Sequence, residues 1–192
     1  MKKYIKHNFK NITLLIIIYV IAVIIGFIIY AFLPYDIKSE MINEISQTIN
    51  LVKNEGFKSI NIIKNGLQNN TFIALILSIS SFTVITFFII ASVFFAKGIA
   101  LSFYICILFN IFGPLKGILA TILIAIIPNF ICIIAYVFLA NECHISSFEL
   151  LSKVTQKVIL KVFFKNILVS LTTVPFIILS VWLEQTFFRL LI

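Results

Sequence analysis

The chain has 192 residues, of which 61% are hydrophobic and only 11% are charged. A soluble domain carries about 25% charged residues, and the mean hydropathy of this chain is +1.16, so a soluble globular fold is excluded. The net charge of +8 would suggest a nucleic acid partner in a soluble protein, but here we expect it to reflect Lys-rich cytoplasmic segments. We therefore expect one integral membrane domain over residues 1–192, with no nucleic acid partner.

The first predicted span covers residues 12–33, an uncharged stretch that follows a lysine-rich start. A helix over this stretch is about 33 Å long, which is enough to cross a bilayer. It is too long for a signal peptide, and no small-x-small cleavage site follows it. We expect an uncleaved first span.

Residues 36–70 differ from the rest, because their four lysines and four acidic residues balance. Within residues 37–67 the apolar side chains recur at helical spacing. This pattern predicts amphipathic helices, hinged at Gly56, that lie on the bilayer surface or on a partner. Asn69 and Asn70 follow, at the predicted start of the second span. Their side chains either cap that helix or contact an extracytoplasmic partner.

Four further apolar runs predict an all-α polytopic bundle of about five spans, with the remaining spans over residues 71–96, 98–112, 118–140 and 166–183. Lys97 and Gly98 divide the second run from the third. Lys97 either marks a functional pocket or lies at a cytoplasmic hairpin, where its side chain can reach the lipid headgroups. The third run is short for a span, about 15 residues. Residues 94–117 therefore form either a full hairpin or a partly re-entrant segment.

The distribution of charge predicts the orientation. With the N-terminus inside, nine basic residues and two acidic residues fall on the cytoplasmic side, and six basic and five acidic residues fall on the other side. This asymmetry follows the positive-inside rule. We expect a cytoplasmic N-terminus, an extracytoplasmic C-terminus, and an extracytoplasmic segment between spans one and two.

Polar residues in the last two runs have two interpretations each. Pro128 removes a backbone donor and Asn129 adds an amide, so the pair either opens a polar notch at mid-membrane or forms a kink in which Asn129 bonds a neighbouring helix. Glu184 is either an interfacial carboxylate or part of an ion pair, with Lys116 as the candidate partner.

A basic amphipathic helix is predicted over residues 147–165. It carries a lysine at every fourth position, namely Lys153, Lys157, Lys161 and Lys165. Such a helix either lies on anionic membrane lipid at the cytoplasmic face or docks a soluble partner such as an ATPase.

No pattern predicts catalysis, a cofactor or a metal. Glu142, Cys143 and His144 are adjacent, but adjacent residues on a helix point about 100° apart and do not converge on one ion. There is no Ser/His/Asp set, phosphate loop or metal-ligand spacing, and the three cysteines show no paired spacing. We expect a protein that is not an enzyme and has no cofactor.

The stretch FFAKGIALSFYICILFNIFGPLKGILATILIAIIPNFICIIAYVFLA, residues 94–140, resembles the core of the stage II sporulation protein M family. The matching positions are Lys97-Gly98, Ser102-Phe103, Gly117 and Pro128-Asn129, with Asn69-Asn70 upstream and Glu184 downstream. The chain departs from the family at Phe130, where an amide is usual, in its lack of glycines in the second run, and at Gln185-Thr186, where a proline often follows.

The resemblance implies a non-enzymatic, multi-pass scaffold of the bacterial cell membrane that acts during forespore engulfment. It implies extracytoplasmic cell-wall hydrolases as partners, namely the stage II sporulation proteins P and D. Relatives encoded with circular bacteriocins serve instead in peptide secretion or producer immunity, where the partner would be an ATPase subunit of a peptide exporter. The departures leave both functions open.

Overall fold

The computed structural model describes residues 2–55, 60–83, 85–152 and 155–191, and it places nearly all of them in helices. The helices are α1 (Lys2–Phe32), α2 (Tyr35–Glu55), α3 (Ile60–Ser80), α4 (Thr86–Ala120), a π-helical segment (Thr121–Ile126), α5 (Ile127–Ser152) and α6 (Gln156–Leu191). The expected all-α fold is confirmed.

Three helical stretches of the described chain are long and apolar enough to cross a membrane. They are Lys10–Phe32, Thr86–Ser152 and Lys157–Leu191. The middle stretch has 67 residues, about 100 Å of straight helix, but it contains a reversal that divides it into two antiparallel arms.

That reversal lies at Gly113, inside the predicted turn at residues 110–117. Gly113 has φ 73° and ψ 178°, a left-handed conformation that favours glycine, and Pro114 follows it. A Cβ added at Gly117 would lie 3.1 Å from the Cα of Phe109, so the two arms approach closely just beyond the turn. The boundary predicted between the third and fourth runs is therefore correct.

The boundary predicted at Lys97 is wrong. Lys97 lies in the interior of α4, and the chain turns instead at residues 81–85. Thr83 donates a hydrogen bond to Ser80 O (2.7 Å), and Ser81 donates one to Ser78 O (2.7 Å). Hydroxyl groups that bond the preceding carbonyls compete with the helix, whereas a single lysine does not end a helix when its side chain finds partners.

Two helices are predicted over residues 37–67 and two are found, but the second is not a separate surface helix. The first part of this segment is α2, and its last part opens α3, which continues through Asn69 and Asn70 to Ser80. Neither asparagine is therefore a helix cap. The predicted hinge at Gly56 lies outside the described residues.

The basic helix predicted over residues 147–165 is not a separate surface helix. α5 ends at Ser152, and Lys157, Lys161 and Lys165 lie in the first turns of α6, which continues without interruption to Leu191. Lys153 lies outside the described residues. The basic stretch is thus the N-terminal part of a long apolar helix that packs against α5.

The crossing of α1 and α4 is the most extensive helix contact in the described bundle, and small residues make it possible. Ala22 and Gly26 of α1 face Gly98 and Ser102 of α4. A Cβ at Gly98 would lie 2.7 Å from the Cβ of Ala22 and 2.7 Å from Tyr19 O. This small-xxx-small pattern on both helices lets the two backbones approach closely.

We predict that Gly98→Val destabilises the bundle by about 1–3 kcal/mol, because its side chain overlaps α1 and overpacks the crossing. Unfolding of the purified protein by a denaturing detergent, followed by circular dichroism, measures the loss. Ala100→Val on the exposed side of the same helix is the matched control. Equal stability of the two variants would contradict the close crossing.

A polar cluster inside the helical bundle

The Lys97 side chain contacts two neighbouring helices, through a hydrogen bond to one and a cation–π contact with the other. Its Nζ donates to Asn70 Oδ1 of α3 at 2.8 Å, and it lies 5.7 Å from the ring centroid of Tyr136 of α5. The Tyr136 hydroxyl lies 2.9 Å from Asn70 O and 3.0 Å from Asn70 Oδ1, and Tyr136 is only 1% exposed. One ammonium, one amide and one phenol therefore join α3, α4 and α5.

This cluster lies near the middle of the bundle. Lys97 is about 17 Å along α4 from Thr86 and about 24 Å from Gly113. The next residue, Gly98, faces Ala22, which lies near the centre of the apolar stretch Lys10–Phe32. Of the two interpretations of Lys97, the structure supports an interior polar site and not a hairpin lysine.

Glu184 of α6 faces the same interior. It accepts a hydrogen bond from the Tyr104 hydroxyl of α4 at 2.9 Å, and its carboxylate and the Lys97 ammonium attract each other electrostatically. Its neighbours on the helix face are buried, namely Ile177, Ser180, Val181 and Phe188. Of the two interpretations of Glu184, the ion pair with Lys116 is not formed, because Lys116 is exposed. The hydrogen-bond partner of Glu184 is Tyr104, and Lys97 attracts its carboxylate only at longer range.

Two opposite charges make this interior tolerable. A lone lysine at the centre of a membrane helix costs about 2.5–3.5 kcal/mol on insertion scales. Lys97 offsets this cost with the Asn70 hydrogen bond, the face of the Tyr136 ring and the field of Glu184. The polar groups of the cluster can therefore hold four helices in one arrangement.

Pro128 and Asn129 act within their own helix and on α6. The π-helical segment precedes Pro128, and in it Ile127 N–H bonds Ile122 O. The hydrogen-bond register is therefore already shifted by one residue before Pro128, which has no N–H to donate. Ser180 of α6 donates to Pro128 O at 2.8 Å. Asn129 Nδ2 donates to Ala125 O at 2.9 Å, so the expected bond from Asn129 to a neighbouring helix is not present.

The expected polar notch at Asn129 is not supported either. Asn129 borders a groove of about 480 Å³ between α1 and α5. The lining of that groove is otherwise mostly apolar and includes Ile12, Ile16, Ile133 and Val137.

A second polar layer fixes the 81–85 turn to α5 and α6. Asn166 Nδ2 donates to Ser81 Oγ at 2.6 Å and Ser146 Oγ donates to Asn166 Oδ1 at 3.1 Å. On the other side of the turn, Thr86 Oγ1 donates to Ser147 Oγ at 2.9 Å. Asn166 and Ser146 are 3% and 0% exposed, so this layer is part of the core.

Ion pairs close the same end of the bundle. Lys165 Nζ lies 3.0 Å from Glu142 Oε2, and Lys161 Nζ lies 3.8 Å from Glu149 Oε2. Cys143 is fully buried and His144 packs edge-on against Phe148 at 4.9 Å between ring centroids. Glu142, Cys143 and His144 therefore diverge, and the described residues contain no group of three or more His, Cys, Asp or Glu side chains that could hold a metal ion.

The structure brings together two of the residues that the sequence singled out, namely Asn70 and Lys97, and it places Glu184 against Tyr104 in the same interior. Gly98 serves packing against α1, and Asn69 is exposed. Sequence reasoning missed Tyr104 and Tyr136. Their signal was a phenol within an apolar run, since a buried tyrosine hydroxyl usually finds a hydrogen-bond partner.

The fold and this cluster define an all-helical bundle with a charged interior and an apolar exterior. Comparisons of the chain with protein-family models, curated proteins and solved structures gave no match. The resemblance to the stage II sporulation protein M family therefore stays a prediction.

We predict that Lys97→Met costs about 1.5–3 kcal/mol of stability, because it removes the charge-assisted hydrogen bond to Asn70 and the positive charge that attracts Glu184. The double variant Lys97→Met, Glu184→Gln should recover part of this loss, with a coupling of about 0.5–3 kcal/mol between the two sites. Denaturation of the native protein, of each single variant and of the double variant in the same detergent measures the coupling.

Lys116→Met, which removes an exposed lysine, is the control for charge alone and should leave stability unchanged. Strict additivity of the Lys97 and Glu184 substitutions would show that the two charges do not interact.

Proposed function

We propose that this protein is a non-enzymatic integral membrane scaffold of the stage II sporulation protein M type, which positions cell-wall-remodelling partners during forespore engulfment. The observation that carries the proposal is the position of α2. The apolar face of this helix packs on the bundle, and its opposite, acidic face points away from the bundle.

The apolar face of α2 is anchored at Ile49, which is 7% exposed and shares a cluster with Leu108 and Phe188. Ile45 packs against the same cluster. The opposite face of α2 is exposed and carries Asp36, Glu40, Asn43, Glu44 and Gln47.

The one basic residue in the first turns of α2 is turned away from that face. Lys38 Nζ donates to Ala31 O at 3.0 Å and lies 5.5 Å from the centroid of the Tyr30 ring. The exposed face over residues 36–47 therefore carries only negative charge, in a chain whose net charge is +8. A fixed acidic helix on a rigid bundle is suited to hold a partner rather than to transform a substrate.

The orientation that fits this function has α2 outside the cytoplasm. Five crossings by α1, α3, α4, α5 and α6 would place the N-terminus and the α5–α6 turn inside, and α2 and the C-terminus outside. Because Lys97 lies in the interior, it no longer counts among the nine basic residues predicted on the cytoplasmic side. Eight basic residues remain there, against two acidic ones. The positive-inside rule therefore still supports a cytoplasmic N-terminus.

The alternative function is a membrane component of circular-bacteriocin secretion or producer immunity, with an ATPase docked on the basic start of α6. Lys157 and Lys161 are exposed there. However, Lys161 and Lys165 form ion pairs with α5, so part of the basic charge serves the bundle itself. We therefore favour the scaffold.

We predict that Asp36→Asn, Glu40→Gln and Glu44→Gln together abolish partner capture, because they remove the charge of the exposed α2 face and leave its anchor intact. Binding of the soluble domains of the stage II sporulation proteins P and D to the full chain in lipid nanodiscs measures the effect. Glu149→Gln, at the opposite end of the bundle, should leave capture unchanged. Capture that survives the triple substitution would contradict the proposed surface.

The alternative makes a different prediction. Reversing the charge of Lys157, Lys161 and Lys165 to Glu should abolish peptide export or resistance to a circular bacteriocin if an ATPase docks there, and should leave capture of cell-wall hydrolases unaffected. Resistance measured in a bacteriocin-sensitive strain that expresses each variant decides between the two functions. Unchanged resistance would count against the exporter function.

A further inference from the structure

One face of α3 changes from apolar to polar along its length. The exposed residues follow a single stripe at helical spacing, namely Asn65, Gln68, Phe72, Leu75 and Ile79. The last three are 62%, 51% and 64% exposed, as expected for side chains that face lipid. The first two are amides, and the neighbouring Asn69 and Lys64 are exposed as well.

These amides lie at a depth where the outward surface of α1 is apolar. The bond from Lys97 to Asn70 sets the level of Asn70, and Gly98 faces Ala22 near the centre of the apolar stretch of α1. Asn65 is about 8 Å further along the helix axis, whereas half of a bilayer's hydrocarbon core is about 15 Å thick.

α3 still belongs to the bundle at this level, because a Cβ at Gly66 would lie 3.3 Å from Val181 of α6. The outward residues of α1 beyond Ala22 are apolar and include Ile24, Phe27 and Ile28, which are 55%, 39% and 54% exposed. At the level of the polar stripe of α3, the outward surface of α1 is therefore one that faces hydrocarbon.

Exposed amides at this depth need a cover. Hydrocarbon offers no hydrogen-bond partners, and polar side chains within the membrane face other protein or water. α2 does not provide the cover, because it packs against α4 and α6 and the side chains of Asn65, Gln68 and Asn69 stay exposed.

We propose that a second copy of this chain covers the stripe, with the two α3 helices paired across a two-fold axis through Asn65, Gln68 and Asn69. An amide side chain carries both donors and an acceptor, so a surface of amides is complementary to itself, which is what a two-fold interface requires. Amide hydrogen bonds between helices are an established source of association in membranes. Lys64, at the outer end of the stripe, can extend its ammonium toward the headgroups.

This dimer is independent of partner capture by α2, and cysteine cross-linking in membranes tests it. Gln68→Cys and Asn69→Cys are placed separately in a background with Cys106→Ser, Cys132→Ala and Cys143→Ala. An oxidant should convert them to disulfide-linked dimers about tenfold faster than lipid-facing controls, because an interface raises the local concentration of the pair. The controls are Ile134→Cys and Phe176→Cys, which are 50% and 47% exposed in the native protein.

A second measurement tests the role of the amides. Gln68→Leu with Asn69→Leu should lower the dimer fraction, measured by energy transfer between labelled copies in vesicles, and Leu171→Ala on the exposed side of α6 should not. Cross-linking at residues 68 and 69 no faster than at the controls would overturn the proposal. A cross-linked product with a different protein, or a dimer that persists in the double leucine variant, would overturn it as well.

Discussion

A lysine ammonium inside an apolar bundle has to find partners, and the position of Lys97 in the interior of α4 makes this the main constraint on the fold. The bond to Asn70 fixes the height of α3, the ring of Tyr136 closes the site from α5, and Glu184 of α6, which accepts a hydrogen bond from Tyr104, attracts the ammonium at longer range. One residue further along, Gly98 sets the distance to α1. A single Lys-Gly pair therefore relates α1, α3 and α5 to α4.

The bundle is organised in layers along its length. The charged cluster lies near the middle, and the hydroxyl and amide layer around Ser81, Ser146 and Asn166 fastens the 81–85 turn at one end. At the other end α2 is anchored through Ile49. Since polar groups in hydrocarbon bond to one another, these layers make the arrangement of the helices specific, whereas the apolar side chains between them can pack in many ways. A fixed arrangement is what a scaffold requires, because the proposed docking face of α2 is only as well positioned as the helices below it.

The sequence was sufficient for the all-α class, the turn at residues 110–117 and the first apolar helix, because each depends on composition or on Gly-Pro chemistry that acts locally. It does not show the turn at residues 81–85 or the continuation of α4 through Lys97, since a charge usually indicates a helix boundary and a run of serines and threonines is compatible with a helix interior. Local composition does not show that Lys97 has Asn70 as a partner, because the two residues lie far apart in the chain. Asn70 and Glu184 were recognised as notable, but their partners could only be found once four helices were placed together. The same limitation applied to Lys157, Lys161 and Lys165, whose even spacing predicted a surface helix although two of them pair with acids on α5.

The central claim is that Asn70 and Lys97 face each other at one level of the bundle. Asn70→Cys and Lys97→Cys in a background without the three native cysteines, treated with a short bifunctional thiol reagent in native membranes, test it most directly. Protease cleavage between the two positions then separates linked from unlinked chains. The structure predicts efficient intramolecular linkage. If residues 71–96 instead formed one uninterrupted span, the two positions would be about 40 Å apart, and the absence of any linkage would contradict the account.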